Sequence, residues 1–267
     1  MGDEVVNTIV SELAEAKPNS RLILGLTFRA LCAWILGILL LACGIGVRVS
    51  PMTGHVRLLL VITLLFSVFT GFVYLFSCIG HRPATVFPAV FFAAFLVLWI
   101  ALGDKPPHVD HLREVYRKRL TAFVDTPFVW GGETNLGIDC SGLARSALWQ
   151  AMAREGIKEV NARLLGPDLW KFWWRDMGAK DIEDGKFGYT KVLGHTRQLA
   201  GYDTSKLKIG DMAVASKAHV LVYYGDGEWI EANPGDRKVV VNKAPAKSKR
   251  GYFNCPVTLV RWRILDH

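Results

Sequence analysis

The chain has 267 residues, 51% of them hydrophobic, and carries 32 Lys and Arg against 24 Asp and Glu, a formal net charge of +8. It is too apolar for an ordinary soluble domain and too charged for a pure membrane channel, so the composition predicts a membrane part and a soluble part. The apolar runs lack the interior ionisable residues and paired broken helices of a transporter, which sets that class aside.

The chain opens on an acidic leader with Asp3, Glu4, Glu12 and Glu15, followed by an apolar run from Ala30 to Val47 with Arg29 at its edge. Two more runs, Leu58 to Ile79 and Pro83 to Gly103, contain no charged side chain. A helix needs about 20 apolar residues to cross a hydrocarbon layer of roughly 30 Å, so three transmembrane helices are predicted at about 30–47, 58–79 and 84–103. The segment Leu40 to Gly44, LLACG, has the look of a lipoprotein cleavage site at Cys43. The acidic leader and the two further apolar runs argue for an uncleaved anchor instead. Residues 1–103 are thus read as a bilayer anchor and 104–267 as a separate domain.

Those last 164 residues suffice for one core and hold 26 Lys and Arg against 20 Asp and Glu. The excess, with Lys243, Lys247, Lys249 and Arg250 in one loop, favours an anionic neighbour such as lipid headgroups or a carboxylate-rich polymer. No aromatic-basic motif accompanies it, so no nucleic-acid partner is expected.

Leu112, Val115, Tyr116, Leu120 and Phe123 form a helical stripe within His111 to Val124, and Thr126-Pro127 ends it. After a loop marked by Gly131, Gly132 and Gly137, a second helix is predicted over Cys140 to Arg154, with Leu143, Ala147, Leu148, Ala151 and Met152 inward. Residues 156–202 read as helices and loops around the aromatic run LWKFWWRDMG. Strands follow in DMAVA, AHVLVYYGDGEWIEAN, RKVVVN and VTLVRWRI, bounded by Gly, Asp or Asn turns. Helices first and a mostly antiparallel sheet afterwards predict an α+β domain. The spacing of His108 and His111 would suit a metal pair, but no third ligand stands nearby, and they read as surface histidines next to the membrane.

Cys32, Cys43 and Cys78 fall in apolar runs and Cys255 opens a strand, all ordinary places for a packed thiol. Cys140 stands apart, at the first residue of an amphipathic helix behind a Gly-rich turn. There the helix dipole and unsatisfied N–H groups favour a thiolate, and the same N–H groups suit the oxyanion of a tetrahedral intermediate. A cysteine nucleophile needs a base. Of seven histidines, His219 at the start of a strand suits the role best, while His195 reads as a loop histidine in the aromatic insert. With a three-residue loop at Gly225-Asp226-Gly227, Tyr224 would face Glu228 and His219 would share a sheet face with Glu231 and Asn233. A two-residue Asp-Gly turn would slip the register and turn His219 away from both. Either Glu231 or Asn233 would serve to orient the imidazole.

Three blocks, TPFVWGGETNLGIDCSGLARSAL, LKIGDMAVA and AHVLVYYGDGEWIEAN, resemble in order the signature segments of the NlpC-type cell-wall peptidases, over roughly Val115 to Arg263. These are papain-like cysteine hydrolases that cut amide bonds in peptidoglycan stem peptides. The resemblance implies an antiparallel sheet with the cysteine helix packed on it, Cys140 as nucleophile, His219 as base and Glu231 at the position of the third polar residue. It implies a peptidoglycan peptide as partner, no cofactor and no metal. Asp139 and Ser141 would help hold the free amine of the stem peptide, and Phe128 and Trp130 would line its site.

The chain departs from the pattern in having Phe128 where the family has tyrosine, in an insert at about Arg163 to Tyr202 and in its membrane anchor. The insert's Trp170, Phe172, Trp173 and Trp174 would either cap the groove or form an extra packed helix. An extracytoplasmic domain, the family expectation, would leave four flanking positive residues inside (Lys17, Arg21, Arg29 and Arg82). Seven would lie outside: Arg48, Arg57, Lys105, Arg113, Arg117, Lys118 and Arg119. The positive-inside rule leans the other way.

Overall fold

The computed structural model describes residues 20–46, 54–79, 106–244 and 251–266. Its first two helices, α1 (Ser20–Gly46) and α2 (Gly54–Ile79), are built almost wholly of apolar residues. Within them Thr27–Gly46 and Gly54–Tyr74 are long and apolar enough to cross a membrane. Both helices begin before the expected bounds, at Ser20 and Gly54. The third expected span, 84–103, lies outside the described residues.

The remaining elements are α3 (Val109–Thr121), β1 (Glu133–Thr134), β2 (Gly137–Ile138), α4 (Cys140–Glu159), α5 (Ala162–Leu165), α6 (Pro167–Trp174), α7 (Ala179–Glu183), β3 (Thr190–Thr196), β4 (Met212–Ala215), β5 (His219–Gly225), β6 (Glu228–Asn233), β7 (Lys238–Lys243) and β8 (Val257–Trp262). Six strands form one sheet in the order β3-β8-β4-β5-β6-β7, with every pairing antiparallel. Period-2 alternation gives it two buried faces. Val220, Val222, Ile230 and Ala232 join the core formed with Leu143, Ala147, Leu148 and Ala151 of α4 and the stripe of α3. Leu221, Tyr223, Trp229 and Leu259 pack on the other face with Phe253.

Three expectations change. β3 lies inside the segment read as helices and loops. It is an edge strand bulged between Val192 and Gly194, which breaks the alternation that would have exposed it in the sequence. α4 runs past Arg154 to Glu159, because Gly156 is a packing position: a Cβ there would lie 2.7 Å from Leu165 Cγ. The helix stops only at Val160, in a left-handed conformation (φ 50°). Finally, α3 ends at Thr121 rather than Val124, although its whole predicted stripe is buried.

Two buried polar contacts brace the sheet and the helices, one within each layer. Arg261 of β8 grips Asp211 with Nε to Oδ1 at 2.6 Å and Nη2 to Oδ2 at 2.7 Å. Tyr116 of α3 donates its hydroxyl to the Ala144 carbonyl of α4 at 3.0 Å, so α3 braces α4 near its N-terminal end.

Candidate active site

The start of α4 is organised by Asp139, its N-cap. Oδ1 accepts from Gly142 N at 2.6 Å and from the Ser141 hydroxyl at 2.9 Å, and Oδ2 accepts from Gly131 N at 2.8 Å. An N-cap of this kind contributes about 1 kcal/mol to the helix, and here it also ties the Gly-rich loop to the helix start. Asp139 N donates in turn to the Gly132 carbonyl. Gly142 is required by that loop: a Cβ would lie 2.2 Å from the Gly132 carbonyl oxygen. Arg145, one turn on, is buried and reaches Glu133 of β1 at 2.9 Å, Asp176 at 2.8 Å and the carbonyls of Arg175 and Met177. Cys140 is thereby held from three sides.

Its thiol is 4% exposed and lies 3.9 Å from the Ala218 carbonyl. Burial first, and then the adjacent Asp139 carboxylate, push the thiol up to about 12, while the N–H groups of Val220, Ser141 and Cys140 pull it down. The dipole argument from sequence therefore has the sign of the backbone contribution right and the balance wrong, because it left out desolvation. At rest the thiol is protonated.

Ala218 and Val220 bracket His219, so Sγ meets the backbone on either side of the histidine at the start of β5. His219 Nε2 lies 2.6 Å from Glu231 Oε2, both residues being almost fully buried. Asn233 Nδ2 donates to Glu231 Oε1 at 3.1 Å, and its Oδ1 accepts from the N–H groups of Gly235 and Asp236. Of the two residues that strand register left open, Glu231 touches the imidazole and Asn233 holds Glu231. With Nε2 engaged, Nδ1 is the ring nitrogen left for exchange with the thiol.

The hairpin behind this arrangement differs from the expected one. Asp226 and Gly227 form a two-residue turn with φ of 53° and 75°, closed by Gly225 opposite Glu228. By itself that turn would slip the strands by one residue. A bulge at Tyr224 takes up the extra residue, so Tyr223 faces Trp229 and Val222 faces Ile230. Carried down the strands, this register sets His219 level with Asn233, on one face with Glu231 as predicted.

Phe128 is half-buried and meets Trp130 edge to face at 5.2 Å, while Trp130 itself is 71% exposed on the Gly-rich loop. In the insert, Leu169 and Phe172 point into the core, with Phe172 5.4 Å from Trp262, whereas Trp170 and Trp174 are exposed. Phe172 thus belongs to an extra packed helix. His195 sits on β3 rather than in a loop, with Nδ1 3.1 Å from the Thr258 hydroxyl. His111 pairs with Glu155 of α4 at 2.8 Å, and no metal-ligand cluster is found among the described residues. Cys255 donates weakly to the Tyr252 carbonyl.

The sequence reading missed Tyr252. Its ring stacks on His219 with centroids 3.8 Å apart and planes 14° apart. It lies in GYFNC, which carries no periodic signal and is brought to the site only by the path of the chain into β8.

An α+β domain with a cysteine at a helix start and a histidine on the adjoining antiparallel sheet has a papain-like arrangement. Residues 125–255 match the NlpC/P60 family, and this stretch is an NlpC/P60 domain. No curated protein matches the chain. Among solved structures, NlpC2 from Trichomonas vaginalis is 17% identical, with a TM-score of 0.35 over 57% of this chain and 47% of that one. The match thus spans less than half of the Trichomonas protein. The peptidoglycan hydrolase RipB from Mycobacterium tuberculosis is 19% identical, with a TM-score of 0.36 over 67% and 85% of the two chains. An N-acetylmuramoyl-L-alanine amidase from Bacteroides uniformis is 14% identical, with a TM-score of 0.36 over 57% and 98%. At these scores the likenesses carry no weight beside the family match.

Proposed function

We propose that the protein is a membrane-anchored cysteine hydrolase that cleaves an amide bond in a peptidoglycan stem peptide. The family match and the three sequence blocks support the class of reaction. The observation that carries the reading is the buried His219–Glu231 contact at 2.6 Å beside the thiol of a helix-start cysteine.

In this reading Cys140 Sγ attacks the scissile carbonyl carbon as its proton passes to His219 Nδ1. The carbonyl π electrons move to oxygen, where the N–H groups at the start of α4, including that of Cys140, receive the oxyanion. Collapse breaks the C–N bond, and the leaving amine takes the proton back from His219. Water, deprotonated by the same imidazole, then attacks the thioester carbonyl; the C–S bond breaks, the acid leaves, and Sγ recovers the proton from His219. Glu231 stabilises the imidazolium and fixes its tautomer. Because the resting thiol is protonated, the base is indispensable: the thiolate arises by transfer to His219. Asp139 Oδ2, which accepts the Gly131 N–H, retains a lone pair for the substrate ammonium. Phe128 and Trp130 line the approach without the family's phenol.

The test is alkylation of the full-length chain in detergent by iodoacetamide, with each cysteine followed by peptide mapping. Cys140 should react at neutral pH in the wild type. In His219→Ala its reaction should be confined to alkaline pH, since burial holds the thiol up to about 12. An unchanged pH profile in His219→Ala would sink the assignment. Incubation with purified peptidoglycan should release peptide fragments from the wild type and none from Cys140→Ala.

We place the domain outside the cytoplasm, where that substrate lies, with residues 1–103 as the anchor. The excess of positive residues on the side of the domain favours a second reading, a cytoplasmic-facing amidase. Protease accessibility of a C-terminal tag in intact cells separates the two.

A further inference from the structure

We infer that Tyr252 is a positioning residue for His219, which holds the plane of the imidazole and favours its protonated form; this rests on the reading of His219 as the base. Glu231 acts on the ring in its plane, through Nε2. Tyr252 acts at right angles to that, covering a face of the ring at 3.8 Å with nearly parallel planes. A single hydrogen bond leaves an imidazole free to tilt about the bond axis. A stacked ring on one face removes that freedom and keeps the line from Nδ1 to Nε2 aimed between the thiol and the carboxylate.

Tyr252 is itself firmly held. It lies in a one-turn helix, Gly251–Phe253, whose Phe253 is fully buried against the sheet. The Phe253 carbonyl accepts from the N–H groups of Leu199 and Ala200, both at 2.9 Å, and Asn254 N closes the turn on the Gly251 carbonyl at 3.1 Å. The end of the insert, around Leu199, thus braces the segment that carries the stacking ring.

The stack also bears on charge. When His219 takes the thiol proton, a cation lies over the face of an aromatic ring, an attraction that the neutral imidazole lacks. The titratable groups around the stack are Cys140 and Asp139 at the start of α4, Glu231 on β6, and Cys255 beyond the turn. Burial and the neighbouring Cys140 and Glu231 raise the Tyr252 phenol, so it stays neutral throughout the working range.

The test follows iodoacetamide alkylation of Cys140 in the full-length chain from about pH 5 to about pH 10, the range that spans ordinary imidazole and thiol ionisation. Losing the stack disfavours the imidazolium, and with it the thiolate that forms by transfer. Tyr252→Ala should therefore slow the neutral-pH reaction about 10-fold and, because the rising limb follows imidazole ionisation while the thiol rests protonated, move that limb down by up to about one unit. Tyr252→Leu, which fills the space without a π face, should behave as Tyr252→Ala. Tyr252→Phe should restore the wild-type profile to within about two-fold, since it keeps the ring. Unchanged profiles in the Ala and Leu variants, with His219→Ala still impaired, would overturn this inference and leave the proposed function standing. Loss in Tyr252→Phe equal to that in Tyr252→Ala would also overturn it, by assigning the effect to the hydroxyl. If His219→Ala leaves the profile unchanged, the base assignment falls and the inference falls with it.

Discussion

The two halves of the site are placed by different physics. The start of α4 is local. Asp139 caps the helix, Gly142 admits the Gly132 carbonyl, and the loop docks through the Gly131 N–H, all within a dozen residues of Cys140. The β5–β6 hairpin is cooperative. His219 and Glu231 meet only because an Asp-Gly turn and a bulge at Tyr224 together preserve a register that neither would give alone. A local device tolerates changes elsewhere in the chain, whereas a register-dependent pair would be lost with a one-residue slip, which turns every side chain to the other face.

This contrast can be broken or sharpened by mutation. The largest effect on activity is expected at the cross-strand pair. Glu231→Gln keeps the shape but loses the charge proposed to stabilise the imidazolium, and on the proposed function fragment release should fall about 10²-fold or more with the fold unchanged by circular dichroism. A fall under threefold would mean that position, rather than charge, is what the hairpin supplies.

Next comes Phe172→Ala in α6, which removes a buried ring packed against Trp262 and Tyr189. It should cost about 3–5 kcal/mol of stability, measured by denaturant unfolding, yet leave Cys140 alkylation in the folded protein unaltered. A changed alkylation profile would revive the view of this helix as a cap on the groove.

The smallest effect is expected at the local device. Asp139→Asn keeps a good helix cap but deletes the carboxylate that raises the thiol, second only to burial. The rising limb of Cys140 alkylation should move to lower pH, by about one unit or less. A shift to higher pH would contradict the electrostatic role given to Asp139.

Much of the domain was legible in the sequence, unevenly. The stripe of α3 and the inward face of α4 follow from helical periodicity, and five of the six strands of the main sheet from apolar, β-branched runs bounded by turn residues, although most of those strands are buried on both faces. The edge strand β3 was hidden by its bulge and by Val192 and Leu193 lying exposed, so its pattern is neither alternating nor continuous. The length of α4 was misjudged because Gly156 reads as a stop in isolation and is a packing position under Leu165. At the candidate site, the sequence pointed to Cys140, His219 and the pair Glu231 and Asn233; strand register alone could not rank that pair, and only the family resemblance favoured Glu231. Tyr252 was invisible, since nothing in GYFNC announces a stacking partner 33 residues from His219.

By itself, then, the sequence determined what depends on chain neighbours: three apolar runs long enough to cross a membrane, two of them helices among the described residues, a helix that begins at Cys140, and the runs that form five of the strands. Tertiary structure decided what depends on groups distant along the chain. It bonded His219 to Glu231 and placed Asn233 behind, it stacked Tyr252 on the imidazole, and it held the Cys140 thiol protonated by burying it. The reason is the range of the forces involved: capping and periodicity act over one or two turns of chain, while desolvation, stacking and cross-strand hydrogen bonds exist only once separate elements have packed.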